Sequence, residues 1–137
     1  MGVIIYDTEN EIEARILMLM NVLTIPKNID DIYTLHFMSI YAYEYDFPYE
    51  NINGDNRFFN SEFCRKREKI CSIIKNSKYI TQTDFFTYAI NDDGKEYCKN
   101  LKSDYAKAYK NLAMTVVEKY KDTEDLTIMI LRGMRNE

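Results

Sequence analysis

The fold of this chain is decided by the stretch Lys78-Tyr-Ile-Thr-Gln-Thr-Asp-Phe-Phe-Thr-Tyr-Ala-Ile90. In its second half, residues 85, 87 and 89 alternate with residues 86, 88 and 90 at the period of two that is typical of a β-strand. We therefore expect Phe85 and Phe86 to lie on opposite faces of a strand in a short hairpin. A hairpin of this kind forms the wing of a winged helix when a basic helix precedes it and a further helix follows.

Helices are predicted on both sides of the hairpin. Ser61 is a good N-cap for a basic helix that continues to Asn76 and places its apolar residues on one face. After the hairpin, Asn91 or Asp92 can cap a short helix that carries Tyr97, Cys98 and Leu101. The predicted fold class is therefore mainly α with a small β-hairpin, a winged-helix domain plus C-terminal helices.

Four more helices complete the predicted architecture. The first spans 8–23 with Thr8 as its cap, and the second starts near Asn28 or Asp30 and ends at about Tyr45. The second is expected to be the spine of the core, with its tyrosine hydroxyls reaching outward to water or a partner. An amphipathic helix follows from Ser103, and a last one begins at Asp122. We thus expect a winged-helix adaptor domain over 1–121 and a C-terminal helical extension over 122–137.

The composition narrows the class of protein. The chain has 137 residues, and 18 Lys and Arg against 22 Asp and Glu give a net charge of −4. Such a molecule repels a phosphate backbone unless its positive charge is concentrated locally. Three cysteines without framework spacing point to a reducing cytoplasm. The N-terminus does not resemble a signal peptide and the apolar runs are short, so we expect a cytoplasmic protein without a membrane partner.

One concentrated basic patch is present on the predicted helix after Ser61. Arg65, Lys66 and Lys69 are candidates for contact with DNA phosphates or with an acidic partner, and Lys78 lies near the wing. A solvated helix face is the alternative, because neighbouring glutamates dilute the patch. Arg67 falls close to the apolar stripe and is expected to be a constrained structural charge with a carboxylate or carbonyl partner.

The C-terminal segment offers apolar side chains on more than one face. Leaving such side chains in water forgoes on the order of 1.5 to 3 kcal/mol each. Either the domain's own core or another subunit should cover them, and both alternatives stay open. The candidates for partner docking are Leu126, Met129, Ile130, Leu131 and Met134.

Residues with catalytic chemistry are scarce. The single histidine, His36, lies in an apolar helix, and the cysteines lack the close pairs of a zinc site. The four glycines stand alone, so no phosphate-binding loop is predicted. Paired carboxylates sit at predicted helix starts, where capping explains them. We expect no catalytic residue, no metal, no cofactor and no enzyme activity.

Taken together, the segments resemble the middle component of the bacterial ABC-three-component defence systems, the group that includes Lamassu. The similarity covers roughly residues 9–120 and lies in Glu13-Ala-Arg-Ile-Leu-Met-Leu-Met20, Tyr45-Asp-Phe-Pro48, Arg65-Lys-Arg67, Tyr88 to Gly94, and Leu101-Lys-Ser-Asp-Tyr-Ala106. The resemblance implies a small winged-helix adaptor bound to an SMC-like ATPase subunit and to an effector subunit such as a nuclease. It implies that the adaptor holds the effector silent, and it transfers no active site.

Three hypotheses follow for the function. The first is this non-enzymatic adaptor of an anti-phage or anti-plasmid complex, with DNA contact by the basic helix inside the assembly left open. The second is a dimeric winged-helix DNA-binding transcription regulator that reads DNA with residues 61–76. The third is an antitoxin-like inhibitor whose acidic surface mimics nucleic acid.

Overall fold

The computed structural model describes residues 9–23, 25–45 and 57–120. These ranges contain five helices and three short strands, so the mainly helical fold class with a small hairpin is confirmed. The predicted loop 46–56 and the predicted extension 122–137 lie outside the described residues. In chain order, the elements are α1 (Glu9–Val22), β1 (Lys27–Asn28), α2 (Ile29–Tyr45), α3 (Arg57–Asn76), β2 (Ile80–Gln82), β3 (Thr87–Ile90), α4 (Asp92–Lys99) and α5 (Asp104–Tyr120).

The three strands form one antiparallel sheet in the order β1-β3-β2. In the hairpin, Ile80 pairs with Ile90, and on the other edge Lys27 of β1 pairs with Tyr88. The two-residue strand β1 is an element that the sequence analysis missed, because so short a strand carries no alternation of its own. A third strand between α1 and α2, paired to a hairpin that follows α3, is consistent with a winged-helix-like fold.

The predicted strand positions of Phe85 and Phe86 are wrong. Both residues lie in the turn between β2 and β3, where the amides of Thr83 and Asp84 donate to the carbonyl of Thr87 over 2.9 and 3.4 Å. These bonds close the hairpin earlier than the alternation of apolar residues suggested. The two phenylalanines are therefore held at the hairpin tip.

Helix α2 is the spine of the core, as predicted, since every residue from Asp31 to Ile40 is buried. Helices α1, α3 and α5 pack around it. Tyr33 is fully buried and its hydroxyl donates to the backbone carbonyl of Phe63 in α3, so the expectation of an outward hydroxyl is wrong for this residue. For the other tyrosines of α2, at positions 41, 43 and 45, the structure describes the helical backbone but not the side chains.

Side-chain caps mark the starts of α2, α4 and α5, and among them the cap at Asn91 was predicted. Asn91 caps α4, because its Oδ1 accepts from the amide of Gly94 over 2.9 Å. Ser103 caps α5 by accepting from the amide of Ala106 over 3.1 Å, and Asn28 caps α2 by accepting from the amide of Asp31 over 2.8 Å. The predicted Thr8 cap of α1 lies outside the described residues.

Two predicted helix ends are wrong. Helix α3 begins at Arg57, so Ser61 lies inside it and is not its cap. Serine is tolerated within a helix at a modest cost, and a good capping residue does not by itself set the boundary. Helix α4 ends at Lys99, so Leu101 packs against the core from beyond the helix.

The start of α4 packs closely against the turn that precedes β2 and against the end of β3. A Cβ on Gly94 would lie 2.7 Å from the carbonyl oxygen of Tyr79 and 2.6 Å from Cγ1 of Ile90. The first of these atoms is backbone and cannot move without displacing the hairpin. Glycine at position 94 therefore lets α4 approach the base of the wing, which is the open end of the hairpin at Tyr79 and Ile90.

We predict that Gly94→Ala lowers the free energy of unfolding by about 1 to 3 kcal/mol, the usual cost of overpacking a close contact. Urea unfolding followed by circular dichroism measures this change. Lys95→Ala is the matched control on the exposed side of the same helix and should stay within about 0.5 kcal/mol of the wild type. Equal stabilities of Gly94→Ala and Lys95→Ala would contradict the close approach.

Candidate functional site

A pocket of about 210 Å³ lies among α1, α2 and α3. Its apolar lining comes from all three helices: Ile12, Phe37, Ile40 and Ile70. The polar side chains among its described lining residues are Arg15, His36, Arg65, Lys66 and Lys69. The pocket thus combines apolar walls with concentrated positive charge in a chain whose net charge is −4.

The structure brings three of the four predicted basic contact residues to this pocket. Arg65, Lys66 and Lys69 lie one and four positions apart on α3, a spacing that places their side chains on adjoining parts of one helix surface. Arg65 and Lys69 are exposed and Lys66 is partly buried. Together they form the accessible rim of the pocket.

The fourth predicted residue, Lys78, lies elsewhere. It is exposed at the start of the hairpin, with its Nζ 5.2 Å from the centre of the Tyr79 ring. Its backbone carbonyl accepts from the side-chain amide of Asn91 over 2.9 Å. Lys78 therefore belongs to the base of the wing, and the pocket does not include it.

Arg15 is a site residue that the sequence analysis missed. Its side chain is only 2% exposed, and its Nη1 donates to the hydroxyl of Tyr105 over 3.2 Å. Burying a guanidinium costs free energy unless polar or charged groups compensate it, so the surroundings of Arg15 in the pocket wall are constrained. The available signal was its position in the apolar stripe of α1, three residues after Ile12 and four before Leu19.

His36 forms the other buried polar part of the wall. Its Nδ1 lies 3.2 Å from the hydroxyl of Tyr109, which ties α2 to α5. Burial, with the positive charges of Arg15 and Lys66 nearby, lowers the pKa of His36 to about 3. Burial also raises the pKa of Tyr109. Both groups are therefore neutral at physiological pH, and the pocket's charge comes from its arginines and lysines.

Arg67, the predicted structural charge, points away from this pocket. Its Nη2 donates to Oδ1 of Asp30, which joins α3 to the first turn of α2. That hydrogen bond raises the pKa of Arg67. The side chain is 47% exposed, more than its nearness to the apolar stripe suggested, and a solvated pair of this kind contributes about 0 to 1 kcal/mol. The buried guanidinium among the described residues is Arg15.

The cysteines offer little chemistry to the site. Cys71 and Cys98 are buried, and burial raises the pKa of each thiol, which keeps both protonated and weakly nucleophilic. Cys64 is exposed, although it lies seven residues before the buried Cys71 on the same helix. Within residues 9–23, 25–45 and 57–120, no three His, Cys, Asp or Glu side chains are grouped as metal ligands.

None of the helices in those ranges is both long and apolar enough to cross a lipid bilayer. The predicted docking residues Leu126, Met129, Ile130, Leu131 and Met134 lie outside the part of the chain that the structure describes. The described lining of the pocket offers apolar walls and cationic hydrogen-bond donors, a combination suited to binding.

We predict that lowering the pH from about 7.5 to about 5 costs roughly 2 kcal/mol of stability through His36 alone. The unfolded chain protonates this imidazole near pH 6.5, whereas the folded protein keeps its pKa at about 3. Between these values the unfolded state binds one proton more, so the free energy of unfolding falls as the pH falls. His36→Gln should lack this contribution and show a correspondingly flatter pH dependence.

An independent measurement covers the case in which His36→Gln does not fold. His36 is the single histidine of the chain, so untagged protein gives one set of imidazole signals in NMR. These signals should stay at their neutral positions down to about pH 5, since the pKa lies well below that value. A titration with a midpoint near pH 6.5 would contradict the buried, neutral imidazole.

Comparison with known proteins gives the chain its family. No curated protein and no solved structure matches it significantly. The family model described as middle component 2 of the ABC-three-component (ABC-3C) systems matches residues 5–135, which is nearly the whole chain. A protein of this family works with the other components of its system. On this match, together with the mainly helical fold, the chain belongs to the ABC-3C middle component 2 family.

Proposed function

We propose that this middle component is a non-enzymatic winged-helix adaptor in an anti-phage or anti-plasmid complex of the Lamassu type. It bridges an SMC-like ATPase and an effector, a nuclease in the simplest case, and helps to hold the effector inactive. The family match supports membership of a three-component system. The bridging role draws its support from surfaces of the chain that are suited to other proteins.

The observation that carries the proposal is the pair of phenylalanines at the hairpin tip. Phe85 is 85% exposed and Phe86 is 77% exposed, with their ring centres 6.3 Å apart. Burying a phenylalanine side chain gains about 1.5 to 3 kcal/mol, so two adjacent rings in water form a strong potential anchor for a partner. Neighbouring aromatic anchors of this kind are typical of protein interfaces.

The tip that carries these rings is an ordered turn. The side chain of Gln82 donates to the carbonyl of Phe85 over 3.0 Å, and the hydroxyls of Thr83 and Thr87 are 2.8 Å apart. The amide of Phe85 donates to Oδ1 of Asp84 over 2.7 Å. A rigid tip loses little conformational entropy on docking, which favours binding to a partner protein.

The absence of an enzyme activity is part of the proposal. Among the described residues, the buried thiols Cys71 and Cys98 are protonated and His36 is neutral and bonded to Tyr109. These groups serve the packing of the core. The adaptor would then act by positioning its partners, and the catalytic work would belong to the ATPase and the effector.

A second candidate function is the dimeric transcription regulator, which the basic face of α3 favours. Arg65, Lys66 and Lys69 lie on the helix that would enter a DNA groove in a winged-helix protein. The net charge of −4 and the apolar hairpin tip count against it, since a wing that grips DNA normally offers cations to the phosphates. This alternative requires a homodimer of the isolated chain and DNA affinity that falls steeply with salt.

We predict that the double variant Phe85→Ser with Phe86→Ser reduces recovery of the other system components by more than tenfold, because each lost ring removes about 1.5 to 3 kcal/mol of burial. The tagged chain is purified from its native host and its partners are quantified by mass spectrometry. Thermal unfolding should be almost unchanged, since both rings are exposed in the free chain.

Met114→Ser is the matched control, because Met114 is another exposed apolar side chain and lies on α5. It should leave partner recovery at the wild-type level. Recovery of an SMC-like ATPase and an effector with the wild-type chain supports the adaptor. A lone homodimer that binds DNA, or full partner recovery with the double variant, would refute the role of the hairpin tip.

A further inference from the structure

We propose that the free edge of β2 binds an extended segment of another component of the system, which adds to the sheet as a further strand. This inference rests on the proposed adaptor function and gives the contact at the hairpin tip a binding mode. The free edge consists of the backbone groups of Ile80 and Gln82 that point away from β3. Its occupant is an uncharged, extended stretch with an apolar side chain where it passes the hairpin tip.

The register of the hairpin shows which backbone groups point outward. In an antiparallel pair, residues that exchange backbone hydrogen bonds alternate with residues that do not. At the two ends of β2, the carbonyl of Tyr79 accepts and the amide of Thr83 donates across the hairpin, each over 2.9 Å. Tyr79 and Thr83 therefore face the opposite strand, as does Thr81 between them. The backbone groups of Ile80 and Gln82 consequently point away from β3.

Three of these outward groups are open to a partner. The amide of Ile80 donates to the carbonyl of Ser77 over 3.4 Å, in the turn before β2. The carbonyl of Ile80, and both the amide and the carbonyl of Gln82, have no hydrogen-bond partner among the described residues. Thr81 and Gln82 are exposed, so solvent reaches this edge. An incoming strand can form three backbone hydrogen bonds here, as extended peptides do when they add to a sheet.

The two edges of the sheet differ in their protection. Natural proteins discourage unwanted strand pairing by placing lysine or proline at exposed edges. At the β1 edge, Pro26 precedes the strand and Lys27 begins it. The β2 edge consists of Ile80, Thr81 and Gln82, without a proline or a charge. This difference favours β2 as the edge that accepts a partner.

The free edge continues into the aromatic hairpin tip. The side chain of Gln82 donates to the carbonyl of Phe85 over 3.0 Å, so one side chain separates the edge from the first ring. Three backbone hydrogen bonds alone attach a strand weakly, because each of them largely replaces a bond to water. Burial of the exposed rings of Phe85 and Phe86 supplies the apolar contact that the edge lacks. The partner strand is therefore expected to carry an apolar residue beside the tip.

A second copy of the chain suits this edge less well. Two β2 edges paired antiparallel would place the hairpin tip of each chain beside the start of the other hairpin, where Lys78 is exposed. The rings of Phe85 and Phe86 would then lie next to a solvated charge instead of an apolar surface. Each copy also carries a net charge of −4, which opposes self-association. A different component of the system is therefore the favoured occupant.

The first test compares Gln82→Pro with Gln82→Ala. Both variants lose the side-chain bond to Phe85, but only proline removes the outward amide. The pairing with β3 does not use this amide, and proline is tolerated on sheet edges. The tagged full chain is purified from its native host, and its partners are quantified by mass spectrometry. We expect Gln82→Ala to keep at least half of the wild-type recovery and Gln82→Pro to fall more than tenfold below Gln82→Ala.

Equal recovery with the proline and alanine variants would overturn the inference. Thermal unfolding of the two free variants should agree within a few degrees, which shows that the loss with proline does not come from unfolding. If the hairpin tip variant Phe85→Ser with Phe86→Ser loses its partners while Gln82→Pro keeps them, the edge inference is wrong and the adaptor function stands.

Hydrogen–deuterium exchange of the wild type, resolved to single residues, covers the case in which Gln82→Pro does not fold. In the free chain, the outward amide of Gln82 should exchange faster than those of Thr81 and Thr83, which face β3. On assembly of the complex, exchange at Gln82 should slow by at least tenfold. An unchanged rate would overturn the inference. Slowing in the isolated chain as its concentration rises would overturn it in favour of a second copy.

Photocrosslinking in the purified complex identifies the occupant. The photoreactive residue p-benzoylphenylalanine replaces Thr81, which is exposed on β2, or Met114 on α5 as a control. We expect position 81, and not position 114, to crosslink to an uncharged extended segment of another component. If the complex forms and position 81 crosslinks only to a second copy, to DNA or to nothing, the edge inference is wrong while the adaptor function stands. If the wild-type chain recovers no other component, the adaptor function fails and the edge inference fails with it.

Discussion

The burial of α2 on all sides over residues 31–40 is the constraint on which the rest of the structure depends. A helix surrounded by other helices leaves its polar side chains without water, so each must find a partner within the protein. Thr34 and Ser39 bond back to the carbonyls of Asp30 and Leu35, each over 2.8 Å. Tyr33 reaches a carbonyl of α3, and His36 reaches Tyr109 of α5. These last two bonds fix the helices on either side of α2, and with them the pocket.

Local signals in the sequence were sufficient for most of the fold. The cap at Asn91, the start of α5 near Ser103 and the amphipathic pattern of α5 depend on residues a few positions apart, so they were predicted correctly. Strand β1 depends on its pairing with β3, far along the chain, and the sequence analysis missed it, as it missed the upstream start of α3. The prediction for the hairpin tip was wrong for another reason. Phe85 and Phe86 have high strand propensity, but the hydrogen bonds of the turn hold them outside the strand.

The candidate site likewise contains residues that the sequence could place together and residues that it could not. Arg65, Lys66 and Lys69 could be grouped from sequence because helical spacing alone places them together. Arg15 and His36 join them only through the packing of α1 and α2 against α3, for which the sequence has no local signature. Arg67 shows the limit of a helical projection, since it lay near the apolar stripe but turned outward to Asp30. Two features result, an aromatic hairpin tip and a pocket that brings apolar and cationic side chains together.

The most direct test of an adaptor that docks through its hairpin tip is hydrogen–deuterium exchange of the free chain and of the complete complex. The account predicts slower exchange on assembly in the hairpin tip at 83–86. The outward face of α5 around Met114 should exchange at the same rate in both states. Unchanged exchange at the hairpin tip, with protection confined to other parts of the chain, would contradict the account.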